Sequence, residues 1–346
     1  MTYRKRPAAT ATLLACLALV PLNAAAGEAA ATDEIVLTDG SRILGRVIGS
    51  RDGELSVETD FAGTLTIPLD KIESLSATTP ATLLLADETV ISEQPVAIED
   101  GELVLAEPAQ TLPVETLSVL NPEPWELGQG YKWTGLVNLA LVMERGNTDT
   151  DELDYKLETA WRSVDDRYRL NARGENDENS GTKTADNWRV SAQWDYFLTD
   201  PNYWGLLAQA EKDKFQDLDL RWLAGPYYGR QFFAAPAFTL SGEFGASYVE
   251  EDFKLAEDQE YGAANWQIDL SSNYLGGDSR LYMQQFGLWN LEDTSDVVVN
   301  TTLGLGFPLL FGFEAAAEIL WEYDSGAVDN VDEMDETYSL RIGYTW

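Results

Sequence analysis

The sequence predicts an all-β protein: a transmembrane antiparallel β-barrel of about twelve strands, preceded by two small periplasmic β units. Three observations support this fold class. From residue 131 onwards, segments of alternating apolar and polar residues follow one another, and such alternation gives each strand one apolar and one polar face. The connections between these segments are alternately short and long. The first 26 residues have the composition of a secretory signal.

Residues 1–26 are predicted to be a signal peptide that is removed from the mature chain. Three basic residues at positions 4–6 precede an apolar run at 8–20, and the small residues at 24–26 offer a cleavage site. Cys16, the only cysteine of the sequence, lies in the apolar run. The mature chain is therefore expected to contain neither a disulfide nor a thiol nucleophile.

Composition excludes several classes of function. The chain has 59 acidic and 23 basic residues, a formal net charge of −36, whereas nucleic-acid-binding proteins concentrate basic charge. Aromatic residues make up 11% of the chain, too many for a disordered acidic polymer. The sequence contains no histidine, which excludes Ser-His-Asp catalysis and histidine-ligated metal sites. We therefore expect no enzyme activity, cofactor or resident metal, although a mechanism that uses only carboxylates stays formally open.

An internal repeat lies between the signal and the barrel, and it predicts two small β units at 33–77 and 82–120. The tetrapeptide Asp-Gly-Glu-Leu at 52–55 recurs at 100–103, and an earlier trio recurs in the same register: Leu37, Asp39 and Ile43 as Leu85, Asp87 and Ile91. The alternation of short strands with Asp-Gly turns resembles small Sm-like and SH3-like barrels. That similarity of plan implies no particular function.

A linker at residues 121–130 leads into the barrel at 131–346. Its first four residues, Asn-Pro-Glu-Pro at 121–124, are predicted to form an extended spacer because two of them are proline. The alternation predicts twelve strands in the barrel, of which the fifth, sixth and ninth are the least regular. Their predicted bounds are 132–144, 153–163, 167–173, 188–196, 203–215, 218–233, 238–248, 266–274, 281–291, 297–307, 313–323 and 338–346. A soluble β-sandwich or lipocalin-like barrel is the alternative, but its packed interior would not tolerate the charges on the polar faces.

The predicted connections define the two sides of the membrane. Those after even-numbered strands are short turns, whereas two of those after odd-numbered strands, residues 250–260 and 324–336, are long and acidic. This pattern is typical of outer-membrane barrels, whose short turns face the periplasm. We therefore expect both β units in the periplasm, with an unidentified partner there, and the acidic loops outside. The loop carboxylates are interpreted as solvated charge, with divalent cations as alternative partners.

The final strand ends on an aromatic residue. One face carries apolar side chains throughout, namely those of Tyr338, Leu340, Ile342, Tyr344 and Trp346. This stretch resembles the C-terminal signal of bacterial outer-membrane barrels. The resemblance implies recognition by the barrel-assembly machinery, and the apolar face implies contact with outer-membrane lipid.

The first barrel strand carries a family resemblance. The run Tyr-Lys-Trp-Thr-Gly at 131–135 leads into Glu-Arg-Gly-Asn-Thr-Asp-Thr at 144–150. A Trp-x-Gly strand followed by a Gly-Asn-Thr loop resembles the opening of the salt-induced outer-membrane protein family, a β-barrel family defined by a domain of unknown function. The resemblance covers residues 131–346 and implies an outer-membrane barrel. It brings no catalytic or binding residues with it.

The charges predicted to face the lumen fall into two groups that are separate along the sequence. They are Arg162, Arg167, Arg169, Arg173 and Arg189 on strands two to four, and Glu243, Asp269, Glu314, Glu318 and Glu322 on strands seven, eight and eleven. If the two groups lie on opposite walls of the barrel, they create a transverse electric field across a narrow pore. The alternative is a network of ion pairs that fills the lumen, since barrels of this size lie between filled and open ones.

The sequence therefore supports two functions of different classes. The first is a minor channel for small cations or polar solutes, with a role in salt or envelope adaptation implied by the family resemblance. The second is a non-conducting protein that organises the envelope or mediates adhesion through its acidic loops and its periplasmic β units. The identity of any solute does not follow from the sequence.

Overall fold

The computed structural model describes residues 33–51, 53–106, 109–144, 150–199, 201–235, 237–276, 279–328 and 331–346. The predicted signal peptide at 1–26 and the Gly-Asn-Thr loop at 146–148 lie outside these residues. The chain divides into two compact units, with the boundary between Asn121 and Pro122.

The N-terminal unit is a single antiparallel sheet of nine strands. These are β1 (Asp33–Leu37), β2 (Arg42–Arg51), β3 (Glu54–Thr59), β4 (Gly63–Pro68), β5 (Ile72–Leu85), β6 (Val90–Glu99), β7 (Glu102–Leu105), β8 (Gln110–Pro113) and β9 (Leu117–Leu120). Eight strands follow the order β4-β3-β2-β1-β5-β6-β7-β8, and β9 pairs with both β2 and β5. The ninth strand therefore curls the sheet back on itself.

The two sequence copies share strand β5 and one hydrophobic core. Residues at the start of β5 pair with β1 of the first copy, whereas Leu83–Leu85 pair with β9 of the second. Side chains from both copies are fully buried in the same cluster, among them Ile35, Leu55, Leu83 and Leu103. Neither copy buries its apolar face alone, so the predicted units at 33–77 and 82–120 are halves of one folded unit.

Equivalent turns in the two copies use the same hydrogen bond. The Asp39 carboxylate accepts a hydrogen bond from the backbone N–H of Ser41 at 2.8 Å, and Asp87 accepts one from Thr89 at 3.0 Å. An aspartate that bonds to the backbone two residues ahead fixes a tight turn. These backbone hydrogen bonds hold the pKa of each carboxyl below its usual value.

The predicted linker is not extended throughout. Residues Pro124–Leu127 form a 3-10 helix, capped by reciprocal bonds between Glu123 and Glu126. The Trp125 indole N–H donates to Glu123 at 2.8 Å, and the Lys132 ammonium lies 5.9 Å from the Trp125 ring centroid. Proline suits the first turn of a helix because its missing N–H would be unpaired there. The extended spacer predicted for residues 121–124 therefore overlaps this helix only at Pro124.

The C-terminal unit is a closed antiparallel barrel of twelve strands, which confirms the predicted fold class. The strands are β10 (Lys132–Glu144), β11 (Thr150–Arg162), β12 (Asp166–Asn179), β13 (Thr182–Thr199), β14 (Asn202–Asp213), β15 (Leu218–Ala235), β16 (Phe238–Phe253), β17 (Gln259–Ser272), β18 (Arg280–Asn290), β19 (Val297–Pro308), β20 (Phe313–Asp324) and β21 (Met334–Thr345). We call the end where β10 begins and β21 ends the base, and the opposite end the rim.

The rim agrees only in part with the prediction of long loops: residues 325–333 still connect β20 to β21, whereas the loop predicted at 250–260 is much shorter. Much of the acidic stretch 250–260 belongs to β16 and β17, which leaves only residues 254–258 between them. Strands β12 and β13 are joined by Ser180 and Gly181 alone, both with positive φ, as a two-residue hairpin turn requires. The strands thus continue beyond the alternating region, where both faces are polar and the sequence signal for a strand is lost.

The outer surface of the barrel is apolar, with an aromatic cluster at the base. Leu139, Leu141, Phe244 and Leu340 are all more than half exposed on this surface. Around the base, aromatic rings from different parts of the barrel contact one another, in the pairs Tyr131–Tyr168, Trp133–Trp161, Trp133–Trp346, Phe313–Tyr344 and Trp194–Trp204. Aromatic residues prefer the membrane–water interface, so the base is one boundary of the apolar band.

Strands β10 and β21 close the barrel over a short seam. They share four register pairs, from Leu136 with Thr345 to Leu139 with Ile342, and Gly135 exchanges two backbone hydrogen bonds with Trp346. Among the described residues, every other neighbouring pair of barrel strands shares ten or more. The seam lies at the base, and towards the rim the two strands are not paired with each other.

Candidate functional site: the barrel lumen

Side chains of the two predicted charge groups meet inside the barrel. The Arg169 guanidinium contacts Asp195 at 3.1 Å and also contacts Glu243. Glu243 accepts further hydrogen bonds from the Tyr203 hydroxyl at 2.8 Å and the Gln193 amide at 2.9 Å. Both carboxylates are buried, and buried charges require such partners. The basic and acidic groups are therefore not held apart as two walls of a transverse field at this level.

A second cluster surrounds Glu318 on the opposite side of the lumen. Its carboxylate lies 2.7 Å from the Lys156 ammonium and 2.8 Å from the Arg341 guanidinium, and it also accepts a hydrogen bond from Tyr282. Lys156 lies 3.2 Å from Glu158 as well. The Lys156–Glu318 pair joins β11 to β20 across two intervening strands, so it spans part of the interior.

A third cluster lies towards the rim. Arg173 and Arg189 are register partners on β12 and β13, and both contact Glu322 of β20, at 2.6 and 3.4 Å. Arg221 contacts Glu211 at 2.9 Å and Asp324 at 3.3 Å. Like charges directly opposite each other on neighbouring strands are unfavourable, and the shared carboxylate of Glu322 offsets that repulsion.

Not all of the lumen is polar. An apolar cluster lines its interior on β14 to β19 and consists of Tyr203, Leu207, Leu223, Tyr227, Val249, Tyr261, Ala263, Leu288 and Val298. Tyrosines in this cluster turn their hydroxyls to the charged groups, as Tyr203 does to Glu243 and Tyr261 to Glu251. This packing fills part of the lumen, and cavities occupy the remaining space.

Three cavities follow one another along that remaining space. The vestibule, at the base, has a volume of about 460 Å³. The central cavity, about 130 Å³, shares Asp269 and Gln284 with the vestibule. The rim cavity, about 50 Å³, shares Lys156, Arg173, Arg189 and Thr302 with the central one. Two sets of side chains therefore separate three spaces that run from the base towards the rim.

The ten predicted lumen charges occupy different parts of this arrangement. Arg162, Arg167 and Asp269 line the vestibule, and Glu314 contacts Arg280 there at 3.0 Å. The other six, Arg169, Arg173, Arg189, Glu243, Glu318 and Glu322, belong to the three ion-pair clusters. The aromatic and apolar residues of the final strand lie outside, where Tyr338, Leu340 and Ile342 are exposed.

Several lumen residues are absent from the predicted set. They are Lys156, Asp195, Glu211, Arg221, Glu251, Arg280 and Arg341, together with the four tyrosines at 203, 227, 261 and 282. Strand alternation alone places Lys156 and Asp195 on the polar faces of their strands. Arg221 lies on a strand whose inward face also carries Leu223 and Tyr227, so the alternation there gives no clear signal.

Within the part of the chain that the structure describes, no group of three or more acidic, cysteine or histidine side chains is placed to hold a metal ion. No helix in the same residues is long and apolar enough to cross a bilayer.

Twelve antiparallel strands, an apolar outer surface with aromatic residues at its boundary and a charged interior define a transmembrane β-barrel of the outer-membrane class. A family described as "Protein of unknown function, DUF481" matches residues 137–346, more than half of the chain, and the chain belongs to this family. The predicted membership of a barrel family with a domain of unknown function is thereby confirmed. The match says nothing about salt.

Comparison with known proteins adds only distant similarities. No curated protein matches the chain. Among solved structures, the NanC porin shows 12% identity and a TM-score of 0.39, over 61% of this chain and 97% of the porin. The outer-membrane channel DcaP of Acinetobacter baumannii shows 8% identity and a TM-score of 0.28, over 91% and 94% of the two chains. The Pseudomonas putida toluene transporter TodX shows 7% identity and a TM-score of 0.25, over 62% of this chain and 88% of the transporter.

Proposed function

We propose that this protein is a narrow channel of the outer membrane for small polar or charged solutes. The observation that supports this function is the series of three cavities along the lumen. Adjacent cavities share lining residues, so the movement of a few side chains connects them. A barrel of twelve strands lies between small filled barrels and large open porins, and a narrow channel fits that size.

The constrictions determine which solutes pass. Asp269 and Gln284 separate the vestibule from the central cavity, while Lys156, Arg173 and Arg189 border the passage to the rim cavity. Four of these five side chains are charged, and charged rings in a pore set its ion preference. A central cavity of about 130 Å³ admits only small solutes. Both signs of charge line the path, so its preference depends on the side from which an ion enters.

We place the base in the periplasm. The N-terminal sheet precedes β10, which begins at the base, and the connections there are short. Short turns face the periplasm in barrels of this class. The acidic hairpins of the rim then face outside, and the N-terminal sheet is available to a periplasmic partner.

Single-channel recording tests the conduit. The purified, folded protein is expected to give discrete current steps in a planar bilayer, and a salt gradient then gives a reversal potential that reports ion preference. In a Cys16→Ser background, Thr302→Cys is expected to make the current sensitive to a charged thiol reagent. The matched control is Leu303→Cys, because Leu303 is the next residue on β19 and lies on the exposed outer surface.

A non-conducting barrel is the second candidate, and the ion pairs that cross the lumen favour it. Lys156–Glu318, Arg169–Glu243 and Arg173–Glu322 each join distant strands, as a structural network would. Absence of current from protein shown to be folded and inserted, with Thr302→Cys unreactive from both sides, would contradict the channel. The N-terminal sheet and the rim hairpins would then carry the function.

A further inference from the structure

Within the described residues, every basic side chain that lines the central cavity is already paired with a carboxylate. Arg173 and Arg189 contact Glu322, at 2.6 and 3.4 Å. Lys156 contacts Glu318 at 2.7 Å, and these three are the basic residues of the lining. Ion pairs of this kind satisfy the charges within the wall of the lumen. Recognition of a solute in this cavity therefore falls mainly to amide and hydroxyl groups.

Amide and hydroxyl side chains form the largest part of that lining. Among its described residues, eight carry an amide or a hydroxyl and five carry a charge. Gln209, Gln284 and Thr302 make no side-chain hydrogen bond to any other residue that the structure describes. Gln209 is only 8% exposed, and a buried amide without a partner is unfavourable. The contents of the cavity must therefore supply the hydrogen bonds that these side chains lack.

A carboxylate at the base end of the cavity adds an acceptor. Asp269 accepts a hydrogen bond from the Gln267 amide at 2.7 Å, and it borders both the central cavity and the vestibule. Carboxylates only accept hydrogen bonds, whereas amides and hydroxyls both donate and accept them. An anionic solute would meet the charge of Asp269, and a cationic solute would meet those of the three basic residues. A neutral solute with several hydroxyls avoids both repulsions and can bond to the carboxylate and to the amides.

The size of the cavity and its apolar residues suit the carbon chain of such a solute. The volume is about 130 Å³, and a cavity of about 150 Å³ holds benzene. Leu207 and Phe286 belong to the lining, where they offer apolar surface to C–H groups. We propose that the central cavity is a binding site for a small neutral polyol, whose hydroxyls contact Gln209, Gln284 and Asp269. The proposal rests on the proposed function only in that it names a solute class for the channel.

Calorimetric titration of the folded protein tests this site without any need for current. In a detergent that has no sugar headgroup, erythritol at millimolar concentration is expected to bind. Two four-carbon ions, doubly protonated butane-1,4-diamine and succinate, are expected to bind at least about tenfold more weakly, because each meets like charge in the cavity. Binding of either ion as tight as that of erythritol would overturn the neutral class. Absence of erythritol binding by folded wild-type protein would mean that the cavity holds only water, and it would overturn the site.

Variants locate the site. Gln209→Leu and Gln284→Leu are each expected to weaken erythritol binding by about fivefold to tenfold, because each removes hydrogen bonds to the solute. Neither change leaves a described side chain without its partner, so both barrels are expected to stay folded, which heat-dependent gel mobility checks. The matched control is Gln231→Leu, because Gln231 lines the vestibule but not the central cavity. Unchanged erythritol binding in both Gln209→Leu and Gln284→Leu would overturn the proposal.

Binding and current together separate this site from the proposed channel. A barrel that binds erythritol but conducts no current retains the site and contradicts the channel. A barrel that conducts ions but binds no erythritol overturns the site and leaves the channel in place.

Discussion

Replacing Glu318 by glutamine is expected to destabilise the barrel strongly. The carboxylate has two cationic partners, Lys156 at 2.7 Å and Arg341 at 2.8 Å, and all three side chains are at most 10% exposed. Glutamine preserves the volume and can still accept the hydrogen bond from Tyr282, but it carries no charge. Two cations would then remain in the lumen without their carboxylate.

The size of the effect follows from burial and from the remaining partners. Removing one member of a buried ion pair costs about 3–5 kcal/mol because an uncompensated charge remains. Lys156 keeps Glu158 at 3.2 Å, and it borders both the central and the rim cavity, where water can solvate its ammonium. We therefore expect Glu318→Gln to lower the free energy of unfolding by about 3 kcal/mol, the lower end of this range.

Denaturant unfolding from lipid vesicles, followed by tryptophan fluorescence, measures this loss. The matched control is Asp219→Asn, because the Lys212–Asp219 pair has the same 2.7 Å separation but side chains that are 35% and 54% exposed. No measurable change is expected there. Combining Lys156→Met with Glu318→Gln removes one uncompensated cation and is expected to recover part of the loss. If Glu318→Gln were no more destabilising than Asp219→Asn, lumen water would screen these charges and the reasoning would be refuted.

Three further predictions concern the seam, the N-terminal sheet and the current. Gly343→Ala is expected to lower the free energy of unfolding by about 1–3 kcal/mol, because the new Cβ would lie 2.6 Å from the Val137 carbonyl oxygen. The control is Gly262→Ala, because the space around a Cβ at that position is open. Gel mobility after graded heating compares the two variants. Leu83→Ala is expected to cost about 2–5 kcal/mol and to destabilise both copies together, so residues 33–121 should melt in one circular-dichroism transition, whereas two transitions would contradict the shared core. The current–voltage curve of the channel is expected to be asymmetric in symmetric salt, because an arginine-lined vestibule faces one side and acidic hairpins face the other; a linear curve would contradict that polarity.

The apolar band of the barrel is predictable from sequence because lipid imposes alternation on every strand that crosses it. The bounds of β10, Lys132–Glu144, agree with the prediction at both ends. Outside the band this constraint disappears. Strand β13 begins at Thr182 and β17 at Gln259, six and seven residues before their predicted starts. The residues added to β13 are mostly polar on both faces, whereas those added to β17 include Tyr261 and Ala263 of the apolar lumen cluster, so neither stretch shows the expected alternation.

The lumen is only partly predictable, because alternation gives the face of a residue but not its partner. The two residues of the Lys156–Glu318 pair are 162 positions apart, and their contact depends on strand register and on closure of the barrel. Alternation assigns the arginines of β11 to β13 to the polar faces of neighbouring strands, but it does not show that their long side chains reach acidic residues of other strands. The apolar cluster around Leu223 is a further departure, since it reverses the rule that apolar side chains of a membrane barrel face outwards.

The short seam between β10 and β21 makes ring closure the weakest step of the barrel. Among the residues that the structure describes, each other strand boundary is held by ten or more register pairs, but this one is held by four and by the contacts of Trp346 with Gly135. Separating the first and last strands therefore breaks fewer hydrogen bonds than separating any other neighbours. A pulling force applied at the C-terminus would peel β21 away from β10 first, and amide exchange would be fastest along these two edges. The circular topology thus depends on the few residues from Gly135 to Leu139 and their partners from Ile342 to Trp346.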